Sequence, residues 1–160
     1  MKYPIKHHLL VLAVLLLAAS HVKSQEKVNS LSSSDIILKK QADSLKANFS
    51  KEGFVIMKEA KMTMESDFEI PVIVPLKEGS SYEFAFIGDP SSGVCEIRMY
   101  DENEKQVVFL KQDGNGTDRN IISYSYVPAF TAYHIIKPVQ VNKKKKKNIS
   151  GYIMMFRKVT

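Results

Sequence analysis

Cysteine is nearly absent from this chain: Cys95 stands alone, so no intramolecular disulfide framework is possible. Tryptophan is missing, and 7 Gly and 6 Pro in 160 residues are too few for a collagen-like or low-complexity protein. No apolar run approaches the about 20 residues that a transmembrane helix needs; Leu9 to Ala19 supplies eleven. Glycine-rich phosphate loops are absent, and zinc-ligand spacing is absent too, because one Cys and a few His cannot complete four ligands. What remains is ordinary globular composition, 44% hydrophobic and 25% charged, at a length for about one domain.

The formal net charge of +6 invites a nucleic-acid reading that its distribution removes. Residues 1–24 carry Lys2, Lys6 and Lys23 and no acid, so the chain without them carries +3, and without Lys143, Lys144, Lys145, Lys146 and Lys147 as well it carries −2. The body is not basic, and the lysine run lacks the interleaved aromatics on which single-stranded bases stack. Nucleic acid is therefore not an expected partner. The run is a candidate anion site acting through charge alone, set against a solubility role in which lysines protect an exposed hairpin from edge-to-edge aggregation.

A basic start, MKYPIKHH, the apolar run, and the polar stretch SHVKSQEK follow the order of a secretory signal peptide. The expected boundaries are 1–24 for the signal, with cleavage between Ser24 and Gln25, 25–53 for a polar linker and amphipathic helix, and 54–160 for the main domain. This predicts a secreted or periplasmic protein with no transmembrane anchor. No cysteine directly follows the run to take a lipid. Cys95 alternates with Ile97 and Met99 in VCEIRMY and reads as a core residue rather than a nucleophile.

The helix is predicted from Ser34 as cap to Gly53 as stop, with Leu38, Ala42, Leu45 and Phe49 forming one apolar stripe. Beyond Gly53 the hydrophobic period changes from 3.6 to 2. Nine segments read as strands: 54–58, 61–66, 69–76, 81–88, 94–100, 105–111, 120–127, 132–137 and 151–159. They predict a mainly β fold, an antiparallel, jelly-roll-like sandwich of eight or nine strands preceded by one helix. Pro71 and Pro75 cannot donate to a ladder, so their strand is expected at an edge or with a bulge. Tyr82, Phe84 and Phe86 on one face of the fourth segment, with Ala85 and Ile87 on the other, predict a central strand with its second face under the helix or a loop.

From Val74 to Val159 the motifs Leu76-Lys77-Glu78-Gly79-Ser80-Ser81-Tyr82-Glu83-Phe84, Ile97-Arg98-Met99-Tyr100-Asp101, Ala132-Tyr133-His134-Ile135-Ile136 and Gly151-Tyr152-Ile153-Met154-Met155 occur in that order. In this order and spacing the segment resembles the bacterial pre-peptidase C-terminal β-sandwich domains. That resemblance implies an exported, non-catalytic accessory fold, to which the helix is an addition.

The residues offer few catalytic constellations. Asp113, Asn115 and Asp118 place oxygen ligands at a turn as calcium requires, but the sixth and twelfth loop positions, Asp118 and Tyr124, depart from the calcium-loop pattern, and a polar hairpin turn explains the same residues. No other cofactor is expected. Glu65, Asp67 and Glu69, and Asp101, Glu102 and Glu104, are the acids available for a glycosidase pair, yet no spacing sets two across a cleft. His134 reads as a satisfied strand histidine. The expected function is a non-catalytic binding or accessory module of a bacterial envelope, with a protein or a glycan as partner and Tyr82, Tyr124, Tyr126 and Tyr133 as candidate ligand contacts. A small carbohydrate-active hydrolase and a structural subunit of an envelope complex are the competing classes.

Overall fold

A computed structural model describes residues 32–113 and 118–159. The signal segment, most of the linker and Asn115 lie outside the described residues.

Helix α1 (Ser33–Lys51) is capped by Ser32, whose hydroxyl accepts from the Asp35 amide at 3.1 Å. The cap sits two residues before the one expected, because three consecutive serines offer the same chemistry and the register of the apolar stripe decides among them. Asp35 lies in the first turn and Lys51 in the last, each matching the helix dipole. Gly53 follows the last turn at φ 80°, a conformation that costs glycine little.

Eight strands follow: β1 (Phe54–Met64), β2 (Val72–Leu76), β3 (Tyr82–Ile87), β4 (Val94–Tyr100), β5 (Gln106–Asp113), β6 (Ile121–Tyr126), β7 (Ala132–Val141) and β8 (Ile149–Lys158). The first two predicted segments are one strand. Its register slips between Ile56 and Lys58, where a bulge shifts the alternation by one residue and gives the sequence the look of two short strands. All pairs are antiparallel, in two four-stranded sheets ordered β1-β8-β3-β6 and β2-β7-β4-β5. Such an eight-stranded double sheet is the jelly-roll arrangement. β2 lies at an edge, where Pro75 is tolerated, and β3 lies inside its sheet.

The core fills the space between the sheets. Phe84, Phe86, Ile97, Met99 and Ile136 are buried there, each contributing about 1.5–3 kcal/mol on burial. The outer face of the first sheet forms a second apolar layer: Ala85, Ile87, Met154 and Phe156 pack under Leu38 and Ala42 of the helix. Phe49 closes one end of this layer, its ring 4.9 Å from that of Phe156. The layers are thus helix, sheet, sheet. Among the described residues no helix lies on the outer face of the second sheet.

Candidate functional site

That bare face follows from parity and register. On β4 the side chains of Cys95, Ile97 and Met99 enter the core, so Glu96, Arg98 and Tyr100 point outward. The pairings extend them into rows. Ile73 lies opposite Ile135, Ile135 opposite Tyr100, and Tyr100 opposite Gln106. The next row runs Lys137, Arg98, Phe109, and the one beyond it Val139, Glu96, Lys111. At the other end Pro75 pairs with Tyr133.

Two textures result. One end is apolar, with Tyr133 65% and Ile73 56% exposed; Phe109, 51% exposed, stands on the β5 side. The middle is a lattice of ion pairs. Arg98 bridges Glu69 at 2.5 Å and Glu96 at 2.8 Å, Lys111 meets Glu96 at 2.9 Å, and Lys137 meets Glu69 at 3.1 Å. Lys137 also lies 5.0 Å over the Tyr100 ring, a cation–π distance. Lys137, opposed by burial and supported by Arg98, holds the Glu69 carboxyl below its ordinary range. Burial acts to raise the pKa of Glu96, but Lys111 and Arg98 outweigh it and the net direction is down. Both acids are therefore held ionised, the reverse of the raised pKa that a glycosidase's general acid needs.

Backbone pairing at the β2 edge of this sheet is obstructed. Pro75 has no amide to donate, and the Lys58 ammonium donates to the Ile73 carbonyl at 3.1 Å.

The four candidate tyrosines do not share a surface. Tyr82 is buried in the core and its hydroxyl accepts from the Lys77 amide at 2.9 Å. Tyr124 stacks on Phe84 with centroids 5.1 Å apart, and burial, with Tyr126 adding to it, pushes its pKa up. Tyr126 packs against the core, and its hydroxyl lies within hydrogen-bond distance of His134 Nε2, at 3.2 Å. Tyr133 alone points outward. Alternation correctly put Tyr124 and Tyr126 on one face, but that face turns inward, because β6 belongs to the sheet whose outer side the helix covers. Ile73, Tyr100 and Phe109 join Tyr133 instead; the sequence signal for them was their position opposite core residues in alternating strands. His134 is 1% exposed and is satisfied at both nitrogens, with Nδ1 3.3 Å from the Ala132 carbonyl.

The remaining candidates lie elsewhere. Asp113 ends β5, and Asp118 accepts from Gln41 Nε2 of the helix at 3.1 Å. Among the described residues no cluster of three or more His, Cys, Asp or Glu is placed to hold a metal ion. Asp101 organises a turn, accepting from the amides of Asn103 and Lys105. The lysine run forms the β7–β8 connection, which is not a hairpin: β7 and β8 belong to different sheets. Among the described residues no helix is long and apolar enough to cross a membrane.

No protein-family model and no curated protein sequence matches this chain. Among solved structures, AlgX of Pseudomonas aeruginosa aligns at 10% identity and a TM-score of 0.45, over 66% of this chain but only 27% of AlgX. CorA, a surface-associated copper-binding protein of Methylomicrobium album BG8, aligns at 10% identity and 0.44, over 61% of this chain and 91% of CorA. TmCBM61, solved in complex with β-1,4-galactotriose, aligns at 14% identity and 0.37, over 68% of this chain and 84% of its own. Likenesses this remote say nothing about the ligand or activity of this chain.

Proposed function

We propose that the protein is an exported, non-catalytic binding module of a bacterial envelope that engages its partner through the outer face of the β2-β7-β4-β5 sheet. The observation that carries this reading is the asymmetry of the two outer faces. One has its apolar centre covered by α1, while the other leaves Ile73, Tyr133 and Phe109 in solvent around a lattice of paired charges. Apolar side chains gathered on one face of a soluble domain, rimmed by polar groups, mark an interaction surface. The signal-like N-terminal segment supports export, and the resemblance to pre-peptidase C-terminal domains supports an accessory role.

Branched aliphatic side chains and a proline surround Tyr133, a texture that suits an apolar protein surface better than a sugar ring. A carbohydrate ligand is the second reading, favoured by Tyr100, Tyr133 and Phe109 presenting rings on one flat sheet beside Arg and Glu hydrogen-bonding groups.

A photo-crosslinking residue at position 133, used in the producing cell, tests the first reading: a discrete protein adduct is expected, and Ile73→Asp abolishes it. Retention of the purified protein in gels containing soluble neutral polysaccharides, lost in Tyr133→Ala and Phe109→Ala, would point to the second. If the adduct survives Ile73→Asp and no polysaccharide retards the protein, the face is not a binding surface.

A further inference from the structure

The β7–β8 connection is distinct from the face described above and shares no residue with it. Lys143, Lys144, Lys145, Lys146 and Lys147 are all exposed. Elsewhere among the described residues Lys39, Lys46, Lys61, Lys111 and Lys137 pair with carboxylates, while Lys40, Lys51, Lys77 and Lys105 stand singly without an ion pair. Among the described residues none of the five loop lysines forms an ion pair.

Protection of a sheet edge does not explain them. β7 lies between β2 and β4, and β8 lies between β1 and β3, so the loop joins two interior strands. There is no unpaired strand beside it to blunt. The backbone supplies a second argument. Lys145 sits at φ 47°, a left-handed conformation in which Gly or Asn is at ease and a lysine costs stability. A loop selected only to turn the chain would place one of those residues there.

The loop is also held in place from below. The Asn142 amide donates to the Ser66 hydroxyl at 2.8 Å, its Nδ2 donates to the Ser91 carbonyl at 2.6 Å, and its Oδ1 accepts from the Lys144 amide at 2.9 Å. The Ser66 amide donates to the Lys146 carbonyl at 2.9 Å. These bonds fix the lysine backbone against the Ser91–Gly93 turn before any ligand arrives, so less ordering entropy is lost on binding. Between loop and turn lies an open bowl of about 300 Å³, lined by Lys143, Lys144 and Lys146 on one side and by Pro90, Ser91 and Ser92 on the other. The Lys146 ammonium reaches to 3.5 Å from the Ser91 hydroxyl. The Ser91 hydroxyl itself donates to Asp89, whose carboxylate is buried beneath the turn and does not face the bowl's solvent.

We propose that this bowl binds an acidic polysaccharide, held by its carboxylate, sulfate or phosphate groups against Lys143, Lys144 and Lys146. The concave shape admits one acidic substituent of a chain at a time, and the neighbouring lysines hold the next. A flat anionic bilayer fits less well, because it would also meet the acidic Glu65 and Asp67 of the adjoining β1–β2 connection, where Phe68 is the only large exposed apolar side chain.

Heparin, polygalacturonate and vesicles of phosphatidylglycerol serve as probes for sulfate, carboxylate and lipid phosphate. Expected is binding of the chain to heparin or polygalacturonate that weakens as salt rises. It should fall at least about tenfold, about 1.4 kcal/mol, in the Lys143→Ser, Lys144→Ser, Lys146→Ser triple variant. The charge-matched control Lys40→Ser, Lys77→Ser, Lys105→Ser should keep its affinity. No binding to either polysaccharide at low salt, equal loss in the control, or tighter binding to the vesicles than to both polysaccharides each overturns the proposal. The thermal midpoint of the triple variant, expected unchanged, separates lost binding from lost folding.

Discussion

A Cβ placed on Gly88 would lie 2.4 Å from the Sγ of Cys95 and 3.1 Å from the Oε1 of Gln140. The end of β3 and the start of β4 approach so closely that only a residue without a side chain fits. Neither Cys95 nor Gln140 has room to retreat, since both are fully buried. Gly88→Ala is expected to destabilise the fold by about 1–3 kcal/mol through overpacking. In a double-mutant cycle with Cys95→Ala, the second change should recover part of that loss, giving a coupling of about 0.5 kcal/mol or more. Additive losses in thermal or urea unfolding would mean that the two sites do not touch.

Cys95 is expected to be inert in the native protein. Burial, with the Asp89 carboxylate adding to it, pushes its pKa to about 12, so almost no thiolate exists at neutral pH. Labelling with an aromatic disulfide reagent should therefore be slow in buffer and become fast only as denaturant opens the sandwich. Rapid stoichiometric labelling without denaturant would contradict the placement of this thiol.

Strand parity explains what was legible in the sequence. Ala85 and Ile87 lie beneath the helix and Tyr82, Phe84 and Phe86 lie between the sheets, as the two-sided apolar pattern of β3 implied. Parity says which side chains share a face but not which way that face turns: it groups Tyr124 with Tyr126 and leaves ligand contact and core packing both open, and the strand order turns the pair inward. The bulge at Ile56 to Lys58 hid one long strand, because a single inserted residue inverts the alternation beyond it. The Glu69–Arg98–Glu96 lattice was invisible for another reason: Glu69 and Arg98 are 29 residues apart and meet only through sheet packing. Likewise, the lysine run reads as a hairpin until the strand order shows that it crosses between sheets.

Gln140 is the centre of a buried hydrogen-bond network between the sheets. Fully buried, it accepts from the Asp89 amide at 2.8 Å and the Ser92 hydroxyl at 2.9 Å and donates to the Ser150 carbonyl at 3.1 Å, tying both sheets to the β3–β4 turn. Gln140→Leu preserves bulk but strands these three groups without water, at about 1–3 kcal/mol each where no rearrangement rescues them. The expectation is a loss of about 2–4 kcal/mol in urea unfolding, against under about 1.5 kcal/mol for the volume-conserving apolar change Met99→Leu. A neutral Gln140→Leu would show that the polar network contributes nothing net.

The helix should loosen in acid before the sandwich does. Asp35 pairs with Lys61 at 2.8 Å and accepts from the Ser150 hydroxyl at 2.9 Å, while Glu59 pairs with Lys46 and accepts from the Tyr152 hydroxyl at 2.6 Å. Lys61 chiefly, with the serine hydroxyls assisting, lowers the Asp35 pKa from 3.8; Lys46 and then Tyr152 lower that of Glu59 from 4.5. Because both folded-state values are depressed, the stability these acids contribute is fully present above their unfolded values. It is lost as pH falls through the folded ones, that is, below about pH 4. The pairs are partly solvent-screened, so each contributes about 1 kcal/mol or less. Hydrogen exchange should therefore show protection of the α1 amides falling between pH 5 and pH 3 relative to β3 and β8. In Asp35→Asn, Glu59→Gln that pH dependence should flatten while protection at pH 7 is already reduced. If the double variant keeps the wild-type slope, the helix is held by Leu38, Ala42 and Phe49 alone, and the ion pairs at its rim are incidental.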